Sequence, residues 1–117
     1  MDAQLKRGLT EVCVLALLTR GDSYGYRLAQ DACALMPMSE STLYPVLRRL
    51  QDAGAVDNYS TEYGGRLRRY YRITDAGREQ LRGFVREWEA LGKIYELVLR
   101  VLPDKAQEGK EGRADEA

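Results

Sequence analysis

Leu81, Phe84, Trp88, Leu91, Tyr95, Val98 and Leu102 follow one another at steps of 3, 4, 3, 4, 3 and 4. Such spacing keeps every one of them on one side of a helix and makes an a/d seam three heptads long. The helix is bounded by Thr74-Asp75, which can cap its start, and by Pro103, which cannot continue it. Val85, Ile94 and Leu99 widen the stripe, so the helix is expected to touch more than one partner surface. A seam of this kind predicts self-association, and the seven residues from Leu81 to Leu102 are the candidate contacts of a homodimer.

Upstream, the pattern calls for three shorter helices. Leu5, Leu9, Val12, Cys13 and Ala16 recur at helical spacing, and Val12 to Leu18 is apolar nearly all round, so the second half of this helix should be deeply buried. Arg20-Gly21-Asp22 ends it. Ser23 can cap a second helix from Tyr24 to about Leu35, with Leu28, Ala32 and Leu35 on one face and Pro37 as its stop. Either Ser39 or Ser41 caps a third, whose inner face is Leu43, Val46, Leu47 and Leu50 and whose end is Ala53-Gly54. Pro45 removes a backbone donor from that helix and costs less if Ser41 is the cap.

After Gly54 the period changes. Ala55 to Thr61 and Leu67 to Thr74 are rich in β-branched and aromatic residues and flank Gly64-Gly65, which predicts a two-stranded hairpin. Tyr59, Tyr63, Tyr70 and Tyr71 suit half-buried strands. A hairpin alone is marginal in water and must lean on the helices before it. Residues 104–117 hold only alanines as apolar side chains and are expected to be a disordered charged tail. The organisation expected is thus 1–73, 74–103 and 104–117: a compact domain, an association helix and a tail.

Composition removes several classes of function. The chain of 117 residues has no histidine, which excludes Ser–His and Cys–His nucleophile pairs and histidine metal ligands. Its two cysteines, Cys13 and Cys33, cannot supply a four-thiolate zinc site and are expected to pack as reduced thiols. No cofactor is implied. Glu87 and Glu89, two apart on a helix, point to different faces and do not converge as a catalytic pair. The Tyr63 to Arg66 tip opens no helix and lacks a P-loop. No apolar run approaches the roughly 20 residues of a membrane span, and no signal-peptide plan is evident, so a cytoplasmic location is expected.

Equal numbers of basic and acidic side chains, 18 of each, leave local asymmetry as the informative quantity. Between Arg66 and Arg72 there are four arginines and no acid. Three helices followed by an arginine-bearing hairpin make the plan of a winged helix-turn-helix, so the fold expected is mostly α with a small β-hairpin and a long C-terminal dimerisation helix. The third helix would enter a major groove of double-stranded DNA, and the hairpin would lie along the backbone or a minor groove. Ser41, Thr42, Tyr44, Arg48 and Arg49 fall off the apolar face of that helix. Hydroxyls at its start, with the positive end of the helix dipole, suit phosphate oxygens and base edges. Arg66, Arg68 and Arg69 suit phosphates. A winged helix that has lost DNA binding and meets protein partners is the alternative, against which the close arginines speak.

Three segments carry a resemblance. Asp22 to Leu28 (DSYGYRL), Ser41 to Leu50 (STLYPVLRRL) and Gly64 to Thr74 (GGRLRRYYRIT), the last followed by Gly77, resemble the PadR family of bacterial transcriptional regulators over roughly residues 8 to 90. Pro45 is a frequent residue at its motif position in that family, whereas Glu40-Ser41 stand where many members have a proline-glycine or similar turn. The single helix after the wing resembles the smaller subfamily, whose members dimerise through it. The resemblance implies a homodimer that binds an inverted-repeat operator, usually as a repressor. It further implies phosphate contacts from Tyr24 and Tyr44, groove contacts from Ser41 and Thr42, and backbone contacts from the wing arginines, with Lys6 and Arg7 as further candidates. In some members an aromatic residue of the long helix lines a pore between subunits where flat hydrophobic molecules stack. That makes Trp88 a candidate contact for a small hydrophobic or planar aromatic inducer, the other reading being an aromatic anchor in the dimer core.

Overall fold

The computed structural model describes residues 2–32 and 36–103. Cys33, Leu35 and the expected tail at 104–117 lie outside the described residues. The elements run α1 (Ala3–Leu18), β1 (Ser23–Tyr24), α2 (Gly25–Asp31), α3 (Glu40–Asp52), β2 (Val56–Tyr63), β3 (Arg66–Ile73) and α4 (Asp75–Val101). The described residues up to Phe84 form one compact unit, and α4 from Val85 onward forms a second.

In the first unit α3 is the central element, packed against α1, α2 and β2. Leu43, Val46, Leu47 and Leu50 are all buried, the face read from the sequence. They meet Val14, Leu15 and Leu18 of α1, Leu28 of α2, and Val56, Tyr71 and Ile73 of the sheet in one core. Burying a side chain of this size stabilises by roughly 1.5–3 kcal/mol, so the core supplies most of the driving force for the unit. Ser39, rather than Ser41, caps α3: its Oγ accepts from the Thr42 amide at 3.2 Å. Pro45 therefore sits inside the helix and leaves the Ser41 carbonyl without its helical donor.

The sheet holds one strand more than expected. β2 and β3 pair antiparallel from Val56↔Ile73 to Tyr63↔Arg66, and the turn between them is Gly64-Gly65 at φ 59° and 81°. Both angles belong to the left-handed region that a two-residue turn of this kind demands. β1 then pairs with the other edge of β3, Ser23↔Tyr71 and Tyr24↔Tyr70, giving the order β1-β3-β2. Ser23 is thus a strand residue with its hydroxyl buried, and no side-chain bond caps α2, which starts at Gly25 and ends at Asp31, well before Pro37. Tyr71 is buried rather than half-exposed, because its side of β3 joins the core cluster with residues of α1 and α3.

The face expected to bury α1 is not the one that does. Thr10, Val14, Leu15 and Leu18 point inward, while Leu5 is half exposed, Ala16 is exposed, and Leu9, Val12 and Cys13 are only partly covered. With apolar residues on nearly every side of Val12 to Leu18, periodicity could not choose between two faces. Only packing against α3 and β3 decides it.

The start of α4 is tied to the hairpin. Thr74 Oγ1 accepts from the Gly77 amide at 3.1 Å and donates to the Gly54 carbonyl at 2.6 Å, and the Thr74 amide donates to the Ala55 carbonyl at 3.0 Å. Gly77 is buried here, and a Cβ on it would overlap the Ala55 carbonyl oxygen and the Ile73 side chain. Leu81 packs against the core of the first unit, so the first position of the expected seam is already covered by its own chain. In the second unit Leu91, Ile94, Tyr95, Val98 and Leu102 are exposed.

Candidate nucleic-acid interface

Because Leu43, Val46, Leu47 and Leu50 turn α3 inward, Ser41, Thr42, Tyr44, Pro45 and Arg48 are left outward, and all five are exposed. At its first turn the Ser39 hydroxyl meets those of Ser41 at 3.0 Å and Thr42 at 3.1 Å. The Thr42 oxygen accepts there, which leaves its own proton to donate outward. Arg49 does not join this surface. Its Nε donates to Glu11 Oε2 at 2.9 Å and ties α3 to α1.

Tyr44 lies across the start of α2, where Gly25 makes room: a Cβ at that position would come within 2.6 Å of the tyrosine oxygen. The hydroxyl donates to Glu40 Oε2 at 3.2 Å. Partial burial first, and the Glu40 carboxylate second, raise the Tyr44 pKa above its ordinary value, so it remains a donor.

The hairpin distributes its arginines over two faces. Alternation along β3 sends Arg66, Arg68, Tyr70 and Arg72 one way and Leu67, Arg69, Tyr71 and Ile73 the other. On the first face Arg68 is held between two rings, 4.0 Å from the centre of Tyr24 and 4.2 Å from that of Tyr63. Tyr24 meets Tyr70 edge-on at 5.4 Å, and Tyr70 stacks on Tyr59 at 5.7 Å. The Tyr59 hydroxyl donates to Asp22 Oδ2 at 2.6 Å, a bond that raises the tyrosine pKa. Arg72 lies over Tyr59, and Arg27 over Tyr24. Arg69, on the second face, lines a cleft of about 640 Å³ with Arg48, Tyr44 and Tyr71. A neighbouring cleft of about 630 Å³ holds Tyr24, Glu40, Tyr44, Tyr63, Arg66 and Arg68 among its walls.

Tyr24, Tyr44, Arg48, Arg66, Arg68 and Arg69 thus line two adjoining clefts between the outer side of α3 and the hairpin, with Ser41 and Thr42 on the exposed first turn of α3. The stack on Arg68 and the bond from Tyr59 to Asp22 were not read from the sequence. Period-two alternation along β3 would have put Arg66, Arg68, Tyr70 and Arg72 on one face, but β1 was needed to bring Tyr24 beside them. Among the described residues no group of three His, Cys, Asp or Glu could hold a metal, and no helix is long and apolar enough to cross a membrane.

A family model for the transcriptional regulator PadR-like family matches residues 14–83, a span holding α2, α3, the whole sheet and the start of α4. The chain belongs to the PadR-like family. The family is one of transcriptional regulators, not of enzymes. An uncharacterised protein of Lysinibacillus sphaericus is 32% identical over 101 residues, which is 82% of this chain and 93% of that one. A PadR family transcriptional regulator from Eggerthella lenta has 34% identity and a TM-score of 0.73, covering 85% of this chain and 88% of its own. Bacillus subtilis PadR, solved in complex with operator DNA, has 24% identity and a TM-score of 0.61 over 66% of this chain and 46% of that one, a likeness of fold. The winged-helix plan read from the hairpin and helix order is therefore the PadR-like fold, with a third strand added to the wing.

Proposed function

We propose that this PadR-like chain binds double-stranded operator DNA as a homodimer and represses transcription. In this reading α3 enters the major groove, where Ser41 and Thr42 reach base edges or phosphates, while Tyr24, Tyr44 and Arg48 bind phosphates beside it. Arg66, Arg68 and Arg69 follow the backbone or enter a minor groove. The observation that carries it is the convergence of Tyr44 and Arg48 of α3 with Tyr24 and the hairpin arginines around two adjoining clefts. The operator complex of the fold relative from B. subtilis supports it.

Dimerisation is supported by the exposed apolar residues Leu91, Tyr95, Val98 and Leu102, spaced for a seam, together with the outward side of α1 at Leu5, Leu9, Val12 and Ala16. Each is an exposed apolar stripe on one helix, and such a stripe marks an association site on a protein in water. Phe84 and Trp88 complete the proposed seam, whereas Leu81 contributes through its own core. Two-fold symmetry then requires an inverted-repeat operator, with half-sites about one helical turn, roughly 10–10.5 base pairs, apart or a multiple of that. Trp88, 52% exposed, is the proposed contact for a small hydrophobic or planar inducer at the dimer interface.

The test is fluorescence anisotropy of a labelled duplex titrated at several salt concentrations. Micromolar binding that weakens steeply with salt is expected. A folded dimer that binds no duplex even at low salt would refute DNA binding and move the arginine surface to a protein partner.

A further inference from the structure

Glu40 is an anomaly on this surface. It is the first residue of α3, is exposed, and stands in the cleft walled by Tyr24, Tyr44, Tyr63, Arg66 and Arg68. Among the described residues it makes no ion pair, although arginines surround that cleft. A carboxylate at a helix start is favoured by the dipole, which alone would account for it on an idle surface. On a surface that docks onto phosphates the same charge is repelled, unless it meets a hydrogen-bond donor of the nucleic acid. In the major groove of a duplex the exocyclic N4 amino group of cytosine is the donor that a carboxylate accepts from.

The local geometry favours that use. Glu40 leads the outer stripe of α3, followed at helical spacing by Tyr44 and Arg48. The Tyr44 hydroxyl holds Oε2 at 3.2 Å, which leaves Oε1 to accept from a base. Tyr44 in turn lies beside Gly25 at the start of α2, so the hydroxyl that meets the carboxylate sits where a larger residue at Gly25 would displace it.

We propose that Glu40 is a specificity-determining residue, which accepts a hydrogen bond from the N4 amino group of one cytosine in each operator half-site. The inference rests on the DNA-binding reading above and deepens it. With its one proton given to Glu40, the Tyr44 hydroxyl then positions that carboxylate instead of donating to a phosphate.

The experiment is selection of bound duplexes from a randomised pool by the wild-type dimer, Glu40→Ala and Glu40→Gln, followed by affinities for the selected site and its single-base variants. Thermal unfolding first establishes that each variant folds, as expected for an exposed position. The wild type should require cytosine at one position per half-site, with a loss of roughly 5- to 150-fold on replacing it. Glu40→Ala should lose that preference while keeping the others. Glu40→Gln should move it towards adenine, whose N6 and N7 suit an amide. If Glu40→Ala keeps the wild-type preference at every position and merely binds all duplexes more tightly, Glu40 is a helix-start charge and the inference is overturned. A wild type that binds no duplex overturns the functional reading itself, an outcome recognisable before any variant is compared.

Discussion

Arg68 and Arg69 are adjacent in sequence yet sit on opposite faces of β3, and their replacement should separate two contributions that a basic cluster usually confounds. Arg68 is stacked between Tyr24 and Tyr63, at 4.0 and 4.2 Å from the ring centres. Arg69 is exposed and has no ring contact among the described residues. If each arginine neutralises one phosphate, each alanine substitution reduces the steepness of log affinity against log salt by about 0.9, and the double variant by about 1.8. Between 50 and 200 mM salt that amounts to roughly 3.5-fold for one residue and 12-fold for both. Stability should divide them differently. Two partly exposed cation–π contacts at roughly 0.5–1 kcal/mol each put Arg68→Ala about 1–2 kcal/mol below wild type in urea unfolding. Arg69→Ala should stay within about 0.5 kcal/mol, as surface substitutions do. Arg68→Lys would retain the salt slope but lose stability, because an ammonium does not lie flat between two rings. Anisotropy titrations at four salt concentrations and urea melts on the same preparations measure both quantities. Unchanged slopes in the double variant would refute phosphate binding by the wing, and equal stabilities of the two single variants would refute the stacking argument.

Gly77→Ala should destabilise the first unit by about 1–3 kcal/mol, since its Cβ would overlap the Ala55 carbonyl and force the start of α4 away from the hairpin; chemical denaturation measures it, and a neutral result would contradict the close approach. Replacing Leu91 and Val98 together by aspartate should convert the proposed dimer to a folded monomer in sedimentation equilibrium, because two charges would then be buried at the seam without partners. Tyr59→Phe removes the donor to Asp22, and the raised tyrosine pKa fixes the sign of the pH effect. The protonated hydroxyl is favoured by folding, so wild type should exceed the variant in stability below about pH 10 and lose that margin as the pH rises through the folded-state pKa, followed by unfolding midpoints in a pH series.

Most of the fold was legible where one residue type excludes all but one local geometry. Gly64-Gly65 demanded a tight hairpin, Thr74-Asp75 a helix start, and Leu43, Val46, Leu47 and Leu50 a single inward face. What the sequence concealed depends on contacts between distant residues. Ser23 carries the same local signal whether it caps a helix or pairs with Tyr71 across the sheet, and the choice falls to β1 because Tyr24 gains Tyr70 and Arg68 as neighbours there. Likewise the Ser39 and Ser41 caps differ by two residues of helix. Ser39 is the cap even though it sets Pro45 deeper in α3, since its hydroxyl accepts from the Thr42 amide and the carbonyl that Pro45 leaves without a donor, that of Ser41, belongs to an exposed residue.

The candidate site was legible in its membership and illegible in its arrangement. Arginines and hydroxyls announce themselves by type, so Ser41, Thr42, Tyr44, Arg48, Arg66, Arg68 and Arg69 could be named from the chain. Arg49 shows the limit of that reasoning: it is as basic as Arg48 and one residue away, yet Glu11 holds it 2.9 Å from a carboxylate, on the side of α3 that meets α1. The same argument reaches α1 itself. Its apolar residues outnumber those one face can use, and the core takes Val14, Leu15 and Leu18, leaving Leu5, Leu9, Val12 and Ala16 partly or wholly in solvent. An excess of apolar positions on a helix is therefore information, since a chain that buries only half of them retains a second surface to be covered. The exposed residues of α4 between Leu91 and Leu102 are a further surface of that kind. In the proposed homodimer a second copy of the chain supplies the matching apolar surface, so the association that would pair two reading helices would also remove apolar area from water.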